Sequence, residues 1–177
     1  EARVHPTMVP QTHLLASISG PYNAIHFQGD TVGNVLLYGQ GAGMIPTGSA
    51  VAADVVDIAR NIQSGSIGRV PALSYLPSAM CPRRITPMDE LSGRYYFRLT
   101  VLDQPGVLAT VAGVLSKYEI SIESVIQKGR KKVGAVPLVI VTHHAKESAV
   151  RGALEEIGQL ASVTAPVVKI RILDEEE

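Results

Sequence analysis

Residues 98–127 read RLTVLDQPGVLATVAGVLSKYEISIESVIQ, and this stretch decides the fold of the second half of the chain. A β-rich segment at residues 95–102 leads into it, and the DQPG sequence at residues 103–106 follows as a turn. Apolar residues then recur at helical spacing as far as Tyr118, and residues 120–127 return to a strand pattern. The stretch therefore predicts a strand, a helix and a second strand in succession.

The pattern continues toward the end of the chain. Residues 136–142 form an apolar segment, which Pro137 restricts to an edge strand or to the start of a strand because proline lacks a backbone donor. Residues 147–160 carry apolar side chains at helical spacing, and residues 167–173 complete a last strand. The order β-α-β-β-α-β is that of a ferredoxin-like fold, so we predict an α+β protein with this domain at residues 94–174.

Residues 1–66 predict a different arrangement, which comprises strands of a mixed sheet and one helix. Two strand-like segments at residues 24–28 and 32–38 are separated by a Gly-Asp pair, which indicates a hairpin. Residues 67–93 contain four prolines together with several serines and glycines. This composition predicts a linker between two domains, because proline leaves little room for helix.

Composition and charge exclude several classes of protein. The net charge is zero and the isoelectric point is near 7.2, so neither nucleic acid nor a membrane surface is expected as a partner. The single cysteine, Cys81, excludes an internal disulfide and a multi-thiolate metal site, and it favours the reducing cytoplasm. No apolar run reaches the roughly 18 residues of a membrane span. The chain starts without methionine or a signal peptide, and we expect it to be a fragment.

The glycine-rich sequence GQGAGMIPTGS at residues 39–49 is one candidate site. Glycines let a ligand approach the backbone, and the N-terminus of the helix that follows, which Thr47 or Ser49 is expected to cap, favours anions. A phosphate-bearing cofactor would therefore fit here. However, the segment lacks the third glycine of a dinucleotide fingerprint and the lysine of a P-loop. These residues alone leave a ligand contact and a tight structural turn equally open.

A second candidate site is the sequence DQPGVL at residues 103–108. Gly106 and Val107 would offer amide N–H groups to a carboxylate at a helix N-terminus, and Asp103 could receive an ammonium group. An α-amino acid carries both charges. The alternative is an ordinary helix start, with Asp103 as the N-cap and proline in the first turn. These residues alone leave both interpretations open.

Three other features are weaker candidates for a site. His143 and His144 could bind a metal, but neighbouring strand residues point to opposite faces, which favours a surface pair. The basic residues between Lys128 and Lys132 could hold phosphate, although a solvated turn is favoured. An RNA-binding domain has the same element order, but residues 136–142 include no aromatic side chain for base stacking and the net charge is zero.

Two stretches of the sequence resemble known families. Residues 98–127, with their DxPGxL start and their IxI strand, resemble the ACT domain. Residues 3–63 resemble the end of the homoserine dehydrogenase catalytic region. The residues that carry this second resemblance are RVHPT at 3–7, Asn23-Ala24, Gly29-Asp30, the gapless GQGAGMIPTGSAV at 39–51, and Asp54. In tandem, the two resemblances point to the C-terminal part of a homoserine dehydrogenase.

The homoserine dehydrogenase resemblance implies interconversion of L-homoserine and L-aspartate 4-semialdehyde with NAD or NADP, in the synthesis of threonine, methionine and isoleucine. It implies contacts to that cofactor from Gly41, Gly43 and Thr47 in the full-length enzyme. The family's nucleotide-binding domain is not in this sequence, and the first 94 residues contain no lysine to match the catalytic one. We therefore expect the fragment to be inactive and to hold no cofactor by itself.

The ACT resemblance implies feedback regulation, usually by threonine, and pairing of ACT domains. The N-terminal strands would also contribute to a dimer. The residues implied at the effector site are Asp103, Gly106, Val107, Leu108 and Gln127. The alternative is an ACT domain that serves assembly only and binds no amino acid.

Overall fold

The computed structural model describes residues 1–68, 73–127 and 134–174. Eight strands and three helices lie within these ranges. They are β1 (Thr7–Met8), β2 (Tyr22–Gly29), β3 (Gly33–Gln40), α1 (Met44–Gln63), β4 (Ser92–Leu102), α2 (Val107–Lys117), β5 (Ile122–Gln127), β6 (Ala135–Thr142), β7 (Ala145–Lys146), α3 (Glu147–Gly158) and β8 (Val168–Ile172). The α+β class is confirmed.

The chain divides into two compact units. The hairpin unit comprises residues 11–84, and the sheet unit comprises residues 1–10 together with residues 85–177. The hairpin unit therefore differs from the predicted domain at residues 1–66, since the first ten residues lie in the sheet unit. The part of the predicted linker that the structure describes contains short 3-10 turns at Pro77–Ala79 and Met88–Glu90.

The hairpin unit contains the predicted hairpin and the predicted helix. Strands β2 and β3 pair antiparallel over their whole length, from Tyr22 opposite Gln40 to Gly29 opposite Gly33. On one face the rings of Tyr22 and Tyr38 stack with their centroids 4.8 Å apart. Cross-strand packing of this kind stabilises a two-stranded sheet, which is otherwise marginal in water.

Helix α1 begins earlier than its predicted cap. Its first residue is Met44, and Gly43 stands at the N-cap position without a side-chain hydrogen bond. Thr47 lies inside the first turn, where its amide donates to the carbonyl of Gly43 at 3.1 Å. The expectation that Thr47 or Ser49 caps the helix is therefore wrong. The physical reason is that Gly43, at a φ of 126°, turns the chain into the helix directly after the glycines.

Helix α1 is exposed along its length. None of its 20 residues is buried, and the apolar side chains that recur along it at helical spacing, Val51, Val55, Ile58 and Ile62, are exposed to water. Such a stripe seeks a partner, because water contact with apolar surface is unfavourable. Among the described residues, no helix combines the length and the apolarity that a membrane crossing would need.

The sheet unit has the predicted β-α-β-β-α-β order, with the short β7 inserted before α3. The strand order is β1-β8-β4-β6-β5, and β4 runs antiparallel to β6 and β8 on its two sides. Pro137 lies near the start of β6, and described pairing with β5 begins only at Leu138. Of the two positions that the sequence left open for Pro137, the strand start is the observed one.

An additional strand extends this sheet at its β8 edge. Strand β1 pairs in parallel with β8, with Thr7 opposite Arg171 and Met8 opposite Ile172. The amide of Leu173 donates to the carbonyl of Met8 at 2.9 Å. Residues near the two ends of the sequence are thus hydrogen-bonded to each other. The parallel pairing of β1 with β8, beside the antiparallel pairs, makes the sheet a mixed one.

The core of the sheet unit lies between one face of the sheet and helices α2 and α3. Alternate residues of β4 are almost completely buried, because successive side chains of a strand point to opposite faces. The helices contribute their apolar stripes, as predicted. The largest of the almost fully buried apolar side chains are Tyr95, Phe97, Leu99, Val101, Val111, Leu115, Val136, Leu138, Ile140, Val150 and Ile157.

A buried carboxylate links α3 to two strands. Glu147 is 6% exposed, and it accepts hydrogen bonds from the Tyr95 hydroxyl at 2.8 Å, from Lys169, and from Arg171 Nε at 3.1 Å. Burial by itself would raise the pKa of Glu147, but these hydrogen bonds outweigh it and lower the pKa to about 2. Glu147 is therefore ionised in the folded protein and holds its three donors together.

Replacing Glu147 by alanine is expected to lower the free energy of unfolding by roughly 3 kcal/mol, because two partly buried cations and the Tyr95 hydroxyl lose their acceptor. Urea denaturation followed by circular dichroism measures the loss. Glu155→Ala, at an exposed position of the same helix, should change the stability by less than about 0.5 kcal/mol.

The same carboxylate makes stability depend on pH. The pKa of Glu147 falls from 4.5 to about 2 on folding, so its contribution is complete above pH 4.5 and is lost as the pH falls toward 2. Glu147→Gln should therefore lose less stability over this range than the unchanged protein. Equal losses in the two proteins, or equal destabilisation by the alanine variants of Glu147 and Glu155, would contradict this role.

Candidate functional site

A cleft opens in the sheet unit where β4 leads into α2. Its volume is about 370 Å³. All five residues implied at the effector site line this cleft, together with neighbours from β4, β6 and the turn. The lining residues are Val101, Leu102, Asp103, Gln104, Pro105, Gly106, Val107, Leu108, Gln127 and Leu138. The residues implied from two separate stretches of sequence are thus brought to one place.

The start of α2 differs from the predicted alternative of an aspartate cap. Gly106 occupies the N-cap position with a φ of 89°, and no side chain caps the helix. Asp103 stands three residues before this position, so the interpretation of Asp103 as the N-cap is wrong. The cause is the turn through Pro105, after which a glycine in the left-handed region admits the chain into the helix.

The helix start presents backbone donors to the cleft region. The amides of Gly106 and Leu108 make no hydrogen bond within the described parts of the chain, whereas the amide of Val107 donates to the Gln104 carbonyl at 3.4 Å. The expected donor pair was Gly106 and Val107. The structure therefore favours Gly106 and Leu108 as the amides that can bind an anion, aided by the helix dipole.

Two polar side chains complete the lining. Asp103 is half-buried, and its carboxylate has no hydrogen-bond or ion-pair partner in the portion of the chain that the structure describes. Gln127 is exposed at the end of β5 and is likewise without a side-chain partner there. Free amides beside a free carboxylate match the carboxylate and the ammonium group of an α-amino acid.

The second candidate site lies in the hairpin unit, at the junction of β3 and α1. Gly41 and Gly43 belong to the three-residue glycine loop, residues 41–43, and Thr47 follows in the first helical turn. The amides of Met44 and Ile45 have no acceptor among the described residues. The junction therefore combines close backbone approach with free donors, which suits a phosphate or another anionic group.

Asn23 belongs to the same junction, although the sequence did not mark it as a site residue. A side chain at Gly41 would overlap the Asn23 amide, since its Cβ would lie 2.9 Å from Asn23 Cγ. Asn23 was noted only among the residues that carry the family resemblance. The hairpin register is the signal that could have identified Asn23 as a neighbour of the glycine loop. It pairs Asn23 with Gly39, and Gly41 follows two residues later on the same face.

The weaker candidates gain no support as sites. His143 and His144 follow β6 and are exposed, and His144 Nε2 lies 3.4 Å from an oxygen of Asp174. The described residues contain no cluster of three or more histidine, cysteine or acidic side chains that could hold a metal ion. The basic residues from Lys128 to Lys132 lie outside the described ranges.

Two family models match the chain in tandem. The homoserine dehydrogenase model matches residues 1–56, and the ACT domain model matches residues 95–161. The RNA-binding alternative, which rested on element order and a basic turn, is dropped in favour of the ACT domain. Each match falls on one of the two candidate sites, since residues 41–47 lie in the first and residues 103–127 in the second.

Curated relatives and solved structures agree with these matches. Homoserine dehydrogenases from Pseudomonas aeruginosa and Neisseria gonorrhoeae are 43% and 41% identical, over 97% of this chain and 40% of each relative. The crystal structure of a homoserine dehydrogenase from Thiobacillus denitrificans matches with a TM-score of 0.84 and 39% identity, over 97% of this chain and 38% of that one. The chain thus spans about 40% of the length of the curated relatives it matches.

Proposed function

The chain belongs to the homoserine dehydrogenase family, and we propose that it is the C-terminal part of a longer NAD- or NADP-dependent homoserine dehydrogenase. The activity proposed for the longer protein is the interconversion of L-homoserine and L-aspartate 4-semialdehyde, on the route to threonine, methionine and isoleucine. The observation that carries the proposal is 43% identity to such an enzyme along 97% of this chain.

The glycine loop suits a part in binding the dinucleotide. The free amides of Met44 and Ile45, the close backbone approach at Gly41 and Gly43, and the Thr47 hydroxyl would hold and orient a polar group of the cofactor. When bound, the dinucleotide would supply the hydride acceptor or donor. No lysine occurs among the first 94 residues, so the catalytic lysine implied by the family is proposed to lie elsewhere in the longer protein.

The longer protein is expected to oxidise homoserine with NAD or NADP, whereas the 177-residue chain alone should show no activity, because it lacks that lysine and a dinucleotide fingerprint. The measurement is dinucleotide reduction followed at its absorbance maximum, with each cofactor in turn. Turnover of homoserine by the chain alone would refute the second statement. A longer protein inactive with both cofactors would refute the proposal itself.

The sheet unit is proposed to be an amino-acid sensor, with threonine as its ligand. The support lies in the cleft at the start of α2, where the free Gly106 and Leu108 amides stand beside the free Asp103 carboxylate. The ligand carboxylate would accept from the amides, and its ammonium group would pair with Asp103. The alternative is an assembly module that binds no amino acid, and the two differ in a binding measurement.

Asp103→Ala is expected to weaken threonine binding at least about tenfold, because the ammonium group loses its charged partner. Calorimetric titration of the 177-residue chain measures the dissociation constant, with isoleucine and methionine as comparison ligands. Glu155→Ala removes an exposed carboxylate from α3 and should leave the constant unchanged. Unaltered affinity in Asp103→Ala would reject the assigned role, and failure of all three ligands to bind would favour the assembly module.

Self-association is proposed to involve the β5 edge of the sheet unit and the strands of the hairpin unit. At the other edge of the sheet, β1 already pairs with the end of β8, so β5 is the longer open edge among the described strands. Val125 and Ile126 on β5 are 38% and 47% exposed. An open edge with exposed apolar side chains pairs readily with a second copy.

Ile126→Lys is expected to convert a dimer of the chain into a monomer, because a charge would have to be buried at the paired edge. Sedimentation velocity gives the oligomeric state. Met88→Lys is the matched control, since Met88 is an exposed apolar residue of the same unit, 38% accessible, that lies in neither edge strand. A dimer that persists in Ile126→Lys, or that dissociates equally in Met88→Lys, would contradict an interface at the β5 edge.

A further inference from the structure

Asn23 and the glycine loop meet at the open end of the hairpin. In the register of β2 and β3, Asn23 lies directly opposite Gly39, and Gly41 comes two residues later on the same face. The Asn23 side chain fills the space beside Gly41. A Cβ added there would overlap the side-chain amide and lie 2.9 Å from Asn23 Cγ and 3.6 Å from Asn23 Cβ. No residue larger than glycine fits at position 41 while Asn23 keeps its place.

Backbone conformation gives no other reason for glycine at this position. The φ angle of Gly41 lies outside the left-handed region, so any residue could adopt its backbone conformation. Gly43 differs, because its φ of 126° disfavours an L side chain whatever the space around it. Gly39 also lies outside the left-handed region, and a Cβ there would meet nothing within 4 Å. Among the described residues, the Asn23 side chain is what a larger residue at position 41 would have to displace.

Asn23 has no evident role in stabilising the core of the hairpin unit. Its side chain is exposed and makes no hydrogen bond to the described residues. What it contacts is the loop that leads directly into the free amides of Met44 and Ile45 at the start of α1. A side chain that contacts a glycine in this loop restricts the positions of the loop backbone, because the backbone cannot enter the space that the side chain occupies.

We propose that Asn23 is a positioning residue of the cofactor site, which holds the glycine loop by occupying the space that glycine leaves at position 41. This inference rests on the proposed function, since the loop is a cofactor site only in the longer dehydrogenase. Asn23 acts through the Gly41 backbone, and the amides of Met44 and Ile45 contact the ligand. A side chain at position 41 would fit only if the Asn23 amide left this space.

The test is a double-mutant cycle in the longer enzyme, with the dinucleotide dissociation constant measured by calorimetry. Gly41→Ala should weaken binding about tenfold, and Asn23→Ala should weaken it about fivefold. The double variant should bind within about twofold of Asn23→Ala, because the added methyl group enters the space that the amide vacates. Gly113→Ala is the control, since it adds the same methyl group into open space at an exposed position of α2, outside the hairpin unit.

Two results would overturn the inference. One is an unchanged dissociation constant in Asn23→Ala, and the other is a double variant weakened about fiftyfold, the product of independent effects. Melting temperatures distinguish positioning from loss of folding, because a positioning role predicts altered dinucleotide binding with unaltered melting. Asn23→Ala only shortens an exposed side chain, so it provides a test even if Gly41→Ala fails to fold.

A separate measurement distinguishes failure of this inference from failure of the proposed function. Amide hydrogen exchange at Thr47, whose amide donates to the Gly43 carbonyl, reports on the loop without any ligand. Faster exchange in Gly41→Ala, with the double variant returning to the rate of Asn23→Ala alone, supports the positioning role even in an enzyme that binds no dinucleotide. Identical exchange in all variants excludes positioning, whether or not the unchanged enzyme binds the cofactor.

Discussion

Strand β4 is hydrogen-bonded along both of its sides, and the arrangement of the sheet unit depends on this. Its inward-facing side chains, from Tyr95 to Val101, are almost completely buried between the sheet and two helices. Because β6 and β8 are both in register with β4, a slip of one residue would turn all of these side chains toward water. The end of β4 at Leu102 is thereby fixed, and with it the turn, the start of α2 and the cleft between them.

A cluster of hydrogen-bonded charged side chains around Glu147 stabilises the same arrangement at one side of the core. Glu147 stands at the first position of α3, and its donors come from β4 and β8, so one carboxylate fixes a helix against two strands. Removing one member of such a buried group is costly because the others remain without partners. Arg171 also lies opposite Thr7 in the added strand β1, so the region that joins the two ends of the sequence adjoins this cluster.

The glycines at the two candidate sites are required for different physical reasons. Gly43 and Gly106 adopt positive φ angles and start a helix without a side-chain cap, which leaves amides of the first turn free. Gly41 has a φ outside the left-handed region, and a side chain at this position would overlap the Asn23 amide. A glycine of the first kind makes donors available, whereas the second kind fixes where those donors lie. The hairpin unit combines both kinds within three residues.

The amino-acid sequence by itself determined the element order, the apolar stripes and the two stretches that resemble known families. These features are local, since spacing of apolar residues, turn residues and short motifs depend on neighbours in the chain. Only the tertiary structure placed β1 beside β8, because that pairing joins residues more than 160 positions apart, for which no spacing rule exists. Only the tertiary structure showed that Gly43 and Gly106, rather than Thr47 and Asp103, stand at the N-cap positions of their helices. It also showed that Asn23 lies beside Gly41. The physical reason is that caps and close contacts depend on the path of the backbone in space.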